Sequence, residues 1–119
     1  MTHVENISLS EAKALILGAL VAQGVSKEHS ESVANALVAA EAEGQAGHGF
    51  SRLGDYVAQV RSGKINRDAN ITSRLTSKTA ISTDADFGFA YPALDHAISE
   101  GISVARSYGT ATMSVKNSH

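Results

Sequence analysis

The 119-residue chain carries 10 basic and 12 acidic residues, a formal net charge of -2, and 43% of its residues are hydrophobic. That is enough apolar material for one modest domain and argues against disorder. With 5% aromatic residues and no basic stripe, the chain shows neither phosphate-neutralising charge nor a stacking surface, which disfavours nucleic-acid binding. The absence of cysteine excludes disulfides, thiolate metal sites and a cysteine nucleophile, and suits a reducing cytoplasm. No basic n-region precedes Val4, so no signal peptide is expected, and the apolar run Ala14 to Ala22 is too short to span a bilayer.

Ser8-Leu9-Ser10-Glu11 has the form of a capping box and predicts a helix from Leu9 to Gln23, stopped by Gly24. Leu9, Ala12, Ile16, Leu20 and Val21 recur near helical spacing and are its expected core face. Ser26 is positioned to cap a second helix carrying Val33, Ala34, Leu37, Val38 and Ala42. Two alanine-rich helices joined by a short turn predict a close antiparallel hairpin, which also suits a subunit interface. Leu53, Tyr56, Val57 and Val60 then mark a third helix ended by Gly63.

Ile71 to Thr76 and Thr79 to Thr83 are rich in β-branched residues and predict a hairpin turning at Ser77-Lys78. Phe89 to Ser107 reads as a long helix with Pro92 in its first turn, Gly109 at its end, and Leu94, Ala97, Ile98, Ile102 and Ala105 as its apolar face. Thr110 to Val115 is the expected closing strand. The fold class is therefore α+β: a helical segment over residues 1–66, then an α/β portion over 67–119, with no internal repeat or linker.

The chemistry concentrates in Glu43-Gly44-Gln45-Ala46-Gly47-His48-Gly49-Phe50-Ser51-Arg52-Leu53. Histidine exchanges protons near neutrality, whereas arginine stays charged and grips carboxylates bidentately. If the segment is helical, His48 and Arg52 stand at i and i+4 and face one cleft suited to a small carboxylate. The plain alternative is a helix-start histidine, a solvated arginine and helix-ending glycines. None of the histidines belongs to a His-Glu-x-x-His motif, so no metal site is expected. His29 and His96 read as solvated or partly packed residues. Gly44, Gly47 and Gly49 follow a helix and do not form a dinucleotide fingerprint.

Gly47-His48-Gly49, Arg52-Leu53, Tyr56 and Gly63-Lys64-Ile65-Asn66 resemble the opening of the type 2 malate/L-lactate dehydrogenase family, which is distinct from the Rossmann-fold dehydrogenases. Asp84-Ala85-Asp86-Phe87-Gly88 is similar to that family's turn before a long helix, and Val115-Lys116-Asn117-Ser118-His119 to the start of its Asn-Ser-x-His-x-Gly segment. Gly47 departs from the family pattern, where a serine is usual.

The resemblance implies an NAD- or NADP-dependent oxidoreductase interconverting 2-hydroxy and 2-oxo acids, homodimeric, within a larger non-Rossmann mixed-sheet fold. It implies Arg52 as the substrate-carboxylate ligand, His48 and His119 as proton-transfer candidates, and Gly47, His48, Asn117 and Ser118 as cofactor contacts. In one register the family's acid/base histidine falls one position beyond His119; slipped by one residue, it is His119. Ending at the tip of a predicted strand, the chain reads as the N-terminal part of a longer enzyme, inactive alone. The rival expectation is a small non-catalytic α+β association module.

Overall fold

The computed structural model describes residues 4–119, so His3 lies outside it. Helices α1 (Leu9–Ala22), α2 (Lys27–Ala42) and α3 (Leu53–Ser62) precede strands β1 (Thr72–Leu75) and β2 (Ala80–Asp84), helix α4 (Ala90–Tyr108) and strand β3 (Thr112–Lys116). Two short 3-10 turns, Ala46–His48 and Phe50–Arg52, connect α2 to α3. The α+β expectation thus holds element by element, with boundaries displaced by a residue or two.

The caps explain where the helices begin and end. The Ser8 hydroxyl accepts the Glu11 amide at 3.1 Å. Glu11 completes only half of the expected box, because its carboxylate takes the Ser8 hydroxyl at 3.1 Å. Ser26 accepts the His29 amide at 3.2 Å and opens α2. Gly24, Gly63 and Gly109 all adopt positive φ, at 86, 82 and 85°, and end α1, α3 and α4 in the left-handed conformation glycine tolerates.

Ile16 and Leu20 of α1, Val33, Ala34 and Leu37 of α2, Val60 of α3, and Val25, Ile65 and Phe89 form one buried cluster. Phe50, Leu53, Tyr56, Val57 and Tyr91 pack around its edge. Leu9 and Val21, expected in the core, are exposed, as is Ala42, because α1 and α2 bury narrower stripes than their hydrophobic residues describe.

The sheet order is β1-β2-β3, with β1 antiparallel and β3 parallel to the central β2. Helix α4 makes the crossover between the parallel pair and covers one sheet face. Ile81 and Thr83 are the buried residues of β2. Thr83 and Ser73 share a 2.7 Å hydrogen bond, and Ser73 meets His96 Nδ1 at 2.8 Å. His96 is thus a partly packed structural residue.

The expected apolar face of α4 is corrected by the structure. The helix buries Pro92, Ala93, Ala97 and Gly101, whereas Leu94, Ile98 and Ile102 remain 42, 47 and 49% exposed. At Gly101 the Met113 side chain of β3 fills the space that a Cβ would take, so helix and strand pack directly there.

Candidate functional site

His48 and Arg52 do not share a helix face. Gly49, at φ -106 and ψ -137, separates the two 3-10 turns and breaks the i, i+4 relation assumed from spacing. The loop folds back on itself instead: Arg52 Nε donates to the Gly47 carbonyl at 2.8 Å, and the Ser51 hydroxyl to the Ala46 carbonyl at 2.7 Å. His48 and Arg52 are both exposed, so imidazole and guanidinium stand at the surface of one braced loop.

Glu41, near the end of α2, supplies the brace from beneath. Its Oε1 accepts the Phe50 amide at 2.8 Å. A Cβ at Gly49 would stand 2.6 Å from that same oxygen, so glycine makes room for the carboxylate. Nothing in the local pattern singles out Glu41, whose partner lies nine positions along the chain.

Asn117, Ser118 and His119 follow β3 and are strapped to the turn before α4. The Phe87 amide donates to the Asn117 carbonyl at 2.8 Å, the His119 amide to the Gly88 carbonyl at 3.0 Å, and the Ala90 amide to the His119 carbonyl at 2.8 Å. Asp84 Oδ1 takes the Asp86 amide at 2.8 Å and the Asn117 side-chain amide at 3.1 Å. These donors, the Asp86 amide foremost, hold the Asp84 carboxyl below its ordinary pKa. Asn66 donates its amide to the Phe87 carbonyl at 2.9 Å and its side chain to the Asp86 carbonyl at 3.0 Å.

This hub imposes left-handed backbone on Asp86 (φ 53), Phe87 (φ 62) and Asn117 (φ 54). Asp and Asn tolerate such angles, but at an aromatic residue the conformation costs about 1–2 kcal/mol. Asp84 and Asp86, expected as turn formers at a helix start, serve as that, and Asp84 also anchors Asn117 in the segment ending in His119.

Tyr56 and Phe89 link the loop and the hub. Their rings meet edge to face, with centroids 5.3 Å apart and planes at 72°. Burial, followed by a hydrogen bond to Tyr91, pushes the Tyr56 hydroxyl up to about 12, while the Arg52 charge acts in the opposite sense. Tyr56 therefore joins α3 to the start of α4 through Phe89 and Tyr91. Tyr91 carries no signal in the sequence, because its partner lies on a different helix.

A dinucleotide places its pyrophosphate on free amides, often at a helix N-terminus following a strand. The strand-turn-helix from β2 to α4 does not offer them: the Phe87, Gly88 and Ala90 amides are taken by Asn117, Ala85 and His119. That turn therefore offers no phosphate cradle. Nor do the described residues gather three His, Asp or Glu side chains into a metal-binding group. A cavity of about 600 Å³ between α2 and α4 is lined by His29, Ser32, Asn35, Asp95 and His96 among others, and its lining includes none of His48, Arg52 and His119. No helix among the described residues is long and apolar enough to cross a membrane.

The family model for malate/L-lactate dehydrogenase matches residues 7–119. The chain is 41% identical over 113 residues to the NADP-dependent (2R)-3-sulfolactate dehydrogenase of Chromohalobacter salexigens, covering 95% of this chain and 34% of that protein. It is 34% identical over 115 residues to the Δ1-pyrroline-2-carboxylate reductase of Ancylobacter novellus, covering 97% of this chain and 34% of the relative. The solved Δ1-piperideine-2-carboxylate reductase of Pseudomonas syringae superposes with a TM-score of 0.91 at 29% identity, over 98% of this chain and 35% of that one. The chain spans about a third of the length of the curated relatives it matches. With the matching segment running from the first cap to His119, the chain belongs to the malate/L-lactate dehydrogenase family.

Proposed function

We propose that this chain supplies the carboxylate-gripping and proton-transferring part of an oxidoreductase that interconverts a 2-hydroxy acid and a 2-oxo acid with NAD or NADP. The observation that carries the reading is the loop in which Arg52 and His48 stand exposed on a frame braced by Gly47 and Glu41. Family membership and the dehydrogenase and reductase names of the relatives support it.

In this reading Arg52 exchanges its bond to the Gly47 carbonyl for a bidentate pair with the substrate carboxylate, which fixes the orientation of C2. His48 accepts the hydroxyl proton in oxidation and returns it to the carbonyl oxygen in reduction. A bound nicotinamide would supply the hydride chemistry at C2. Asn117 and Ser118 contact the cofactor beside Gly47 and His48, and His119 lines the same cleft as a second proton-transfer candidate. Residues 1–66 form the helical portion and 67–119 the opening of the α/β portion of a cytoplasmic homodimer.

The test is binding of a 2-oxo acid such as pyruvate to the chain, followed by NMR titration. Arg52→Ala should weaken binding by the roughly 1.5–3 kcal/mol typical of hydrogen bonds to a charged group. Equal affinity in the variant would remove Arg52 from the site.

A further inference from the structure

Glu41 lies where electrostatics alone would not put a carboxylate. It belongs to the last turn of α2, which contains no basic residue, and a helix C-terminus carries the negative end of the dipole. It is also partly buried, beneath a loop proposed to receive an anion. One hydrogen bond offsets these costs, donated by the Phe50 amide to Oε1 at 2.8 Å. That amide is the first of the turn Phe50–Arg52, which runs directly into α3 and receives no side-chain cap from Gly49 before it. Glu41 therefore caps, from another helix, the helical run on which Arg52 sits. The loop is shaped to let it reach: a Cβ at Gly49 would stand 2.5 Å from Glu41 Cγ and 2.7 Å from Cδ, while the φ of -106° at Gly49 is open to other residues.

We propose that Glu41 is a positioning residue for the carboxylate site: by holding the Phe50 amide it fixes the backbone midway between His48 and Arg52, and it acts as an acceptor of the right length, not through its charge. The proposal rests on the reading of Arg52 and His48 as that site. Glu41's charge by itself repels an incoming carboxylate, so its electrostatic and its positioning effects on binding have opposite signs and can be separated. Glutamine presents an acceptor oxygen at the same reach without the charge, aspartate keeps the charge but is one methylene short, and alanine has neither.

The experiment titrates pyruvate by NMR into the full chain and its Glu41→Gln, Glu41→Asp, Glu41→Ala and Arg52→Ala variants, with hydrogen exchange at the Phe50 and Leu37 amides reporting on loop and core. Glu41→Ala and Glu41→Asp should each lose about tenfold in affinity together with protection at Phe50, and leave Leu37 as protected as in wild type. Glu41→Gln should bind within about twofold of wild type and keep Phe50 protected. Glu41→Ala binding as tightly as wild type, or more tightly, with Arg52→Ala weakened, would overturn the positioning role and leave the carboxylate site standing. Equal losses in Glu41→Gln and Glu41→Ala would overturn the claim that the acceptor acts and not the charge. Should Glu41→Ala lose protection at Leu37 and so fail to fold, the glutamine and aspartate variants decide: equal affinities in the two would overturn the proposal. If wild type does not bind pyruvate, or Arg52→Ala binds it as well as wild type does, the carboxylate reading fails and Glu41 has nothing to position.

Discussion

The two halves of the molecule are held together by different forces. In the helical half, Ile16, Leu20, Val33, Leu37 and Val60 are fully buried, and cohesion comes from apolar area removed from water. In the sheet half, α4 lies on β2 and β3 through alanine and glycine, and the interior contains the Thr83, Ser73 and His96 hydrogen bonds. There Asp84, Asp86, Asn66 and Asn117 tie turn to strand end with directional bonds. A nonpolar core tolerates small displacements, whereas a hydrogen-bonded hub holds its members only at defined angles. The part that places His119 is built in the second way, and it accommodates an aromatic residue at positive φ.

Truncating the helical core is the strongest way to break this contrast. Leu37→Ala should cost about 2–5 kcal/mol in a urea melt, since the site lies among helices that cannot fully collapse around the void. A cost below 1 kcal/mol would mean that the core is far looser than its burial.

A smaller, local effect is expected from acid. Because the folded Asp84 carboxyl lies below its ordinary value, its contribution is fully present above the unfolded pKa of about 3.9 and is lost as pH falls through the lowered folded value. Protection against hydrogen exchange at the Phe87, Ala90 and His119 amides, relative to the intrinsic rate at each pH, should therefore be lost at low pH before that at Leu37, and Asp84→Ala should reproduce that pattern at neutral pH. Uniform acceleration of both halves would erase the distinction. The smallest effect belongs to Ile98→Gln: with the side chain already 47% exposed, stability should change by no more than about 0.5 kcal/mol. A loss of several kcal/mol would show Ile98 to be part of a covered surface.

What could be read from the chain follows the same division. The capping serines and the stopping glycines act within four residues, so local pattern was sufficient for the helices. The face of α4 was read correctly at Ala97 but not at Leu94, Ile98 and Ile102, because periodicity reports an apolar stripe and not the partner that selects it; the buried stripe is Ala93, Ala97 and Gly101. The segment carrying His48 and Arg52 could be singled out by composition and resemblance, but its geometry depended on the Gly49 break and on Glu41 passing beneath it. Tyr91, Asn66 and Phe87 act through partners 20 to 35 positions away or through backbone angle, neither of which a local pattern expresses.

The molecule is also long for its mass. Its principal extents are 57 × 30 × 20 Å and its Cα radius of gyration is 16.0 Å. A compact chain of this length would have a radius near ~13.5 Å. Friction in solution follows that outline more than the molecular weight, so a single copy should leave a sizing column early, at a volume calibrated by rounder and heavier standards. Light scattering, which weighs particles independently of their drag, is therefore the proper counter of subunits for a body of this shape.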